Sequence, residues 1–211
     1  MLKFYFSPGA CSMASRITLE ESGAKFEEQL ISIPKGEQKS EAYLKVNPRG
    51  KVPALAIDGK VLTENVAILT YVAKQFPAAK LLPADPLEEA RCISTMAWLS
   101  NTVHPSFTHI FRPERFAEDQ AAQASVKATG RKAFWANLQE IDGLLAGKEW
   151  LMGAQFTTCD PYALVFYSWG TRIELPVKDL ANYTAWKGRM LKRPAVKRVL
   201  EREQSPLLQA A

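Results

Sequence analysis

The apolar positions of the first third of the chain switch repeatedly between a two-residue and a 3.6-residue period. Residues 2–6 (LKFYF) form a short apolar and aromatic run closed by Ser7-Pro8-Gly9, which predicts a strand ending in a turn. Met13, Ile17 and Leu19 then fall at helical spacing over 12–22, with Gly23 as the stop. Phe26, Leu30 and Ile33, with polar residues between them, predict a strand over 25–33. A short helix over 39–47 ends before Pro48. Residues 52–58 and 60–63 read as strands joined by an Asp58-Gly59 hairpin turn. Val66, Ile68, Leu69, Val72 and Phe76 lie on one stripe of a helix over 64–76, stopped by Pro77. From Leu87 onward only the helical period persists, over 87–116, 119–146, 158–172, 179–192 and 194–203. Thr157 is placed to cap the third of these, with Asp160 bonding back and Pro161 tolerated in its first turn.

The order β-α-β-α-β-β-α matches a small mixed sheet with a right-handed crossover, which is the thioredoxin-like order. The fold class expected is therefore α/β followed by all-α. A thioredoxin-like domain over 1–78 and a linker over 79–86, in a proline-punctuated stretch, precede a helical-bundle domain over 87–211.

Composition narrows the class. The chain has 211 residues, 47% hydrophobic and 23% charged, as ordinary globular proteins do. No apolar run approaches the ~18–20 residues of a membrane span. The N-terminus lacks the apolar centre and cleavage site of a signal peptide, so a cytoplasmic protein is expected. The net charge of +5 gathers near the C-terminus, where no nucleic-acid-binding signature accompanies it. A solvated helix face, with Trp186, Met190, Leu191 and Val199 turned inward, accounts for it, and no nucleic-acid partner is expected. Three cysteines, Cys11, Cys92 and Cys159, stand far apart, and only two histidines, His104 and His109, are present. Neither a disulfide framework nor a metal site is expected from such a set.

The chemistry concentrates at the first strand-to-helix turn. Cys11 sits just before a helix N-terminus, where unpaired N–H groups and the macrodipole favour a thiolate. A dithiol oxidoreductase would carry a second cysteine three positions on, but that residue is Ala14. Cys11 can pair with an external thiol, or it can be a small buried apolar residue like most free cysteines. Ser12 and Tyr5 are competing hydroxyls, with capping or core packing as their plainer roles. Val52-Pro53 stands where a thioredoxin-like sheet exposes the N–H and C=O of the preceding residue to an extended, peptide-like ligand. Glu64-Asn65 at the next helix mouth can take an ammonium and a carboxylate, or simply cap.

Five stretches together resemble the cytosolic glutathione transferases: SPGACS (7–12), NPRGKVPAL (47–55), LTENVAILTYVA (62–73), FTTCDPY (156–162) and LKRPAV (191–196). The cysteine is similar to that of the bacterial beta class, although Pro105 after His104 and Asn65 after Glu64 depart from its pattern. The resemblance implies glutathione as co-substrate, no metal, and a homodimer. It implies Cys11, Ser12 and His104 at the sulfur, and Lys35, Lys51, Val52, Pro53, Glu64 and Asn65 around the rest of glutathione. The second-substrate pocket would draw on Tyr5, Phe107, Phe111, Arg112 and Trp169, with Arg112 and Arg115 either favouring anionic substrates or merely solvated. The reaction implied is conjugation of glutathione to electrophilic small molecules, a detoxification chemistry. Cys11-dependent thiol transfer and a non-catalytic ligand-binding role are the alternatives.

Overall fold

The computed structural model describes residues 1–208. Strands β1 (Leu2–Phe6), β2 (Phe26–Leu30), β3 (Ala54–Ile57) and β4 (Lys60–Thr63) form one sheet in the order β2-β1-β3-β4. β1 pairs parallel with β2, Leu2 opposite Phe26, and antiparallel with β3, Phe4 opposite Leu55. β3 and β4 form the predicted hairpin, with Asp58 and Gly59 at positive φ. Helices α1 (Ser12–Ser22), α2 (Glu41–Leu44) and α3 (Asn65–Gln75) complete the thioredoxin-like half. The expected element order is present throughout it.

Two strands are shorter than their apolar patterns. β2 stops at Leu30 because β1 has ended: Ile31 N–H still reaches Phe6 O at 2.8 Å, and Pro8 follows with no donor. β3 begins at Ala54 rather than 52, since Pro53 brings no N–H to the ladder and its peptide bond with Val52 is cis.

The remainder is helical: α4 (Pro86–Trp98), α5 (His104–Phe111), α6 (Gln120–Leu144), α7 (Cys159–Arg172), α8 (Ala181–Lys192) and α9 (Pro194–Arg202). The pattern over 87–116 predicts one helix, but the structure interrupts it with a π-helical segment at Leu99–Val103. Pro105 explains the interruption. It has no N–H for the carbonyl four residues back, and its ring would clash there unless the turn widens. His104 emerges at the end of that widened turn.

Helix α1 is the hub. Every residue from Ser12 to Leu19 is buried, because α1 lies against the sheet and α3 on one side and α7 and α9 on the other. One apolar core accordingly runs from Met13, Ile17 and Leu69 into the helical half at Met96, Phe134 and Phe166. A smaller core of Phe4, Phe6, Leu55, Ile68 and Val72 lies between sheet and helices. Burying an apolar side chain contributes roughly 1.5–3 kcal/mol. The shared core therefore ties the position of α1 to the helices packed behind it.

Candidate active site

Cys11 occupies the N-cap of α1 with helical backbone angles and no side-chain cap. Its half-buried thiol donates to Val52 O at 3.6 Å. Val52 N–H has no protein partner among the described residues, so the Val52 backbone presents a donor and an acceptor beside the thiol. The loop behind it is rigidly built: Tyr43 Oη and Asn47 Nδ2 both donate to Lys51 O, each at 2.7 Å. Gly50 at φ 60° completes it, where a Cβ would lie 2.8 Å from Gln38 O.

The thiol does not behave as the helix position suggests. Burial pushes Cys11 up to about 12, against opposing contributions from its own backbone N–H and Asn65 and from the Lys51 charge. Desolvation disfavours the thiolate more than the first turn of α1 favours it. Burial therefore opposes the lowered thiol that the helix position leads one to expect.

Asn65 is buried, and both ends of its amide brace α1. Nδ2 donates to Cys11 O at 3.0 Å, and Oδ1 accepts from Ser15 Oγ at 2.7 Å. Its backbone N–H, at the start of α3, has no partner among the described residues. Glu64 stands beside it, exposed and at φ 70°, with Arg49 Nη1 at 3.4 Å from its carboxylate. Lys51 is exposed, and its charge favours the ionised form of Cys11 and the neutral form of His104. Lys35 is exposed in the loop after β2 and makes no contact that ties it to Cys11.

Ser12 is displaced from the role suggested by its position. It is fully buried, donates to Ser7 O at 3.0 Å and accepts from Ser7 N–H at 3.1 Å, so its hydroxyl closes the turn. Tyr5 is turned away from the cleft. Side chains alternate along a strand, and Phe4 and Phe6 take the helix-covered face, leaving Tyr5 against Tyr43 at 5.7 Å. It does not join the aromatic wall on α5.

That wall is formed by one face of α5 with α7. His104 meets the Trp169 ring edge-on at 4.9 Å, Phe107 stacks on Trp169 at 4.3 Å, and Phe111 stacks on Phe107 at 5.7 Å. Burial, with the Lys51 and Arg115 charges, lowers His104 to about 4, so it is neutral at pH 7. Phe111 is exposed, and the guanidinium groups of Arg112 and Arg172 lie 5.2 and 4.8 Å from its ring centre. A shallow groove of about 350 Å³ there is also lined by Lys127 and Arg131.

Glu203, Arg16 and Tyr162 support the site without a signal in the local pattern, and Trp169 supports it in a second way. Trp169 Nε1 donates to Gly9 O at 2.9 Å, while Glu203 Oε2 accepts from Gly9 N–H at 3.0 Å. The loop two residues ahead of Cys11 is thus gripped from α7 and from the end of α9. Glu203 also pairs with buried Arg16 at 3.4 Å, and Arg16 holds Glu28 through two 2.6 Å bonds. Tyr162, buried in α7, interacts with Asn65 and with Ser100 of the π-helical segment. Its presence in the FTTCDPY stretch was the only hint. Among the described residues no cluster of three or more His, Cys, Asp or Glu is arranged to hold a metal. None of their helices is long and apolar enough to cross a membrane.

Comparison with known proteins agrees with this geometry. Residues 1–74 match the family "Glutathione S-transferase, N-terminal domain". Glutathione S-transferase GstA of Escherichia coli O157:H7 is 35% identical over 207 residues, covering 96% of this chain and 98% of that protein. A glutathione transferase homologue from Sulfitobacter, solved with bound glutathione, superposes with a TM-score of 0.91 at 30% identity, over 96% of this chain and 98% of that one. The beta-class glutathione S-transferase of Sphingomonas chungbukensis gives a TM-score of 0.84 at 36% identity, over 95% and 98% of the two chains. With the thioredoxin-like sheet, the helical half and near-complete coverage all in agreement, the chain belongs to the glutathione S-transferase family.

Proposed function

We propose that this protein binds glutathione along the Val52 backbone, holds its sulfur as a thiolate beside Cys11, and conjugates it to electrophilic small molecules. The observation that carries the reading is the Cys11 S–H donated to Val52 O, beside a Val52 N–H with no protein partner. An extended cysteinyl backbone paired with Val52 would bring its sulfur to the thiol, which exchanges one acceptor for another. A neutral S–H and the N-terminal end of α1 both favour a negative sulfur there. Lowering a thiol from about 8.5 by one or two units raises its thiolate fraction near pH 7 roughly tenfold or more. The bound glutathione of the Sulfitobacter homologue supports the co-substrate.

In this reading Glu64 and the Asn65 N–H hold the γ-glutamyl end, with Arg49 alongside, and Lys35 and Lys51 face the glycine carboxylate. Residues 1–78 form the glutathione-binding domain, and the helical domain expected over 87–211, whose last three residues lie outside the described ones, supplies the second-substrate wall of His104, Phe107, Phe111 and Trp169. Arg112 and Arg172 beside exposed Phe111 favour electrophiles that carry an anionic group on an aromatic ring. The protein works as a cytoplasmic homodimer.

Thiol transfer with Cys11 as nucleophile is the second reading. The raised Cys11 thiol weighs against it, because the thiolate it needs is scarce at neutral pH. Retention on immobilised glutathione, followed by conjugation and disulfide-reduction assays on wild type and Cys11→Ala, tests the choice. The expected result is retention of both proteins and conjugation reduced about 10–100-fold in the variant. Failure of the wild type to be retained overturns the proposal, and a dominant Cys11-dependent disulfide reduction replaces conjugation with thiol transfer.

A further inference from the structure

The mechanism uses Cys11 and leaves the other two cysteines without a role. Cys92 on α4 and Cys159 at the first position of α7 are separated by 67 residues, yet their sulfurs lie 3.4 Å apart. Both are fully buried. Cys159 Sγ also donates to Cys92 O at 3.3 Å, and Thr158 Oγ1 stands 3.8 Å from Cys92 Sγ. The nearest carboxylate in sequence, Asp160, is held by the backbone N–H groups of Leu151 and Thr157 and by Trp186 Nε1. Among the described residues no third ligand is placed to make the pair a metal site. Two thiols in mutual contact have one further chemistry of their own, oxidation to a disulfide.

We propose that Cys92 and Cys159 are a redox modification site, which a peroxide converts to a reversible disulfide joining α4 to α7. Cys92 is the attacking sulfur. Cys159 keeps its proton on Cys92 O, while the Thr158 hydroxyl is placed to turn its O–H to the Cys92 sulfur, and the shifts run the same way, Cys92 below its ordinary range and Cys159 above it. The Cys92 thiolate takes the terminal oxygen of the peroxide to give a sulfenic acid, and the departing oxygen takes a proton and leaves as water or an alcohol. The Cys159 sulfur then displaces the sulfenic oxygen, which leaves as water with the Cys159 proton, and the S–S bond forms. Two external thiols reverse the bridge, becoming a disulfide themselves. Both sulfurs are closed to solvent, so a peroxide must reach them through a transient opening between α4 and α7. The bridge would fix the helix that carries Tyr162 and Trp169 to the one that leads into His104.

The test uses the full-length wild-type protein, reduced, freed of reductant and exposed to hydrogen peroxide. After an acid quench, remaining thiols are alkylated in denaturant and unreduced peptides are mapped by mass spectrometry. The expected result is a linked Cys92–Cys159 peptide in more than half of the chains, two hydrogen atoms lighter than the separate peptides. It disappears with dithiothreitol and persists in Cys11→Ser. Recovery of Cys92 and Cys159 as alkylated thiols after Cys11 has been oxidised overturns the proposal. So does overoxidation of either one with no linked peptide. None of these outcomes depends on glutathione conjugation.

Discussion

Truncating Glu203 to alanine tests whether the end of α9 positions the thiol loop. The Glu203 side chain is almost wholly buried, with one oxygen 3.4 Å from Arg16 and the other accepting Gly9 N–H at 3.0 Å. Removal leaves the Gly9 donor without its acceptor, at about 1–3 kcal/mol. It also removes one of the two carboxylates at Arg16. Breaking a buried ion pair outright costs ~3–5 kcal/mol, but Arg16 keeps both 2.6 Å bonds to Glu28, so only a fraction applies. Burial also disfavours the Glu203 carboxylate, as its raised protonation range records, and that penalty is recovered. The net loss is about 2–4 kcal/mol, and at roughly 2–4 °C per kcal/mol for a chain of this size it lowers the melting midpoint by about 5–15 °C. Glu203→Gln keeps an acceptor for Gly9 and is expected to lose less than half of that. Because Gly9 lies two residues before Cys11, the alanine variant is also expected to raise the glutathione KM several-fold more than that of the second substrate. Thermal denaturation and two-substrate kinetics measure both effects. A melting midpoint within 2 °C of wild type, together with unchanged glutathione KM, would refute the positioning argument.

Asn65→Ala removes the brace at Cys11 O and leaves Ser15 Oγ without its partner, so a loss of about 2–4 kcal/mol in denaturant titration and weaker glutathione retention are expected. His104 is held near 4 when folded, below its unfolded value of about 6.5, so the unfolded chain binds the extra proton first as pH falls. Its contribution to stability is therefore complete above about 6.5 and is lost as pH falls towards 4. It amounts to ~1–3 kcal/mol that His104→Phe should remove from the pH dependence of the midpoint. Arg172→Ala beside Phe111 should reduce kcat/KM for a carboxylate-bearing aromatic electrophile about 3–10-fold relative to its neutral analogue. An equal effect on both substrates would count against the anionic preference.

The thioredoxin-like half was readable because its signals are local. Strand alternation, the Asp58-Gly59 turn and the proline stops each act within a few residues, and they yielded the observed element order. The same locality explains the misses. A helix position and a dipole pointed to a lowered Cys11 thiol, but burial among distant elements decides its direction. Tyr5 lies on the sheet face opposite Phe4 and Phe6, against Tyr43 of α2, and which face meets which helix is not written in a five-residue strand. Pro105 was visible in the sequence, yet a continuous helical period hid the π-helical widening it demands. The grip on Gly9 joins residues 160 and 194 positions away, and no periodicity reports such a pairing. The Cys92–Cys159 contact, across 67 residues, is of the same kind.

The central claim is that Cys11 remains a neutral donor and that the ionised sulfur in the site is that of glutathione. Ultraviolet difference spectroscopy of the thiolate band, recorded against pH with and without glutathione, measures it directly. No thiolate from Cys11 is expected in the free protein below pH 9. On adding glutathione, a new titration should appear one or two units below the free thiol's value of about 8.5, and Cys11→Ala should move it upward by about 1–2 units. A thiolate titrating near neutrality in the free protein and lost in Cys11→Ala would contradict the account and identify Cys11 as the nucleophile.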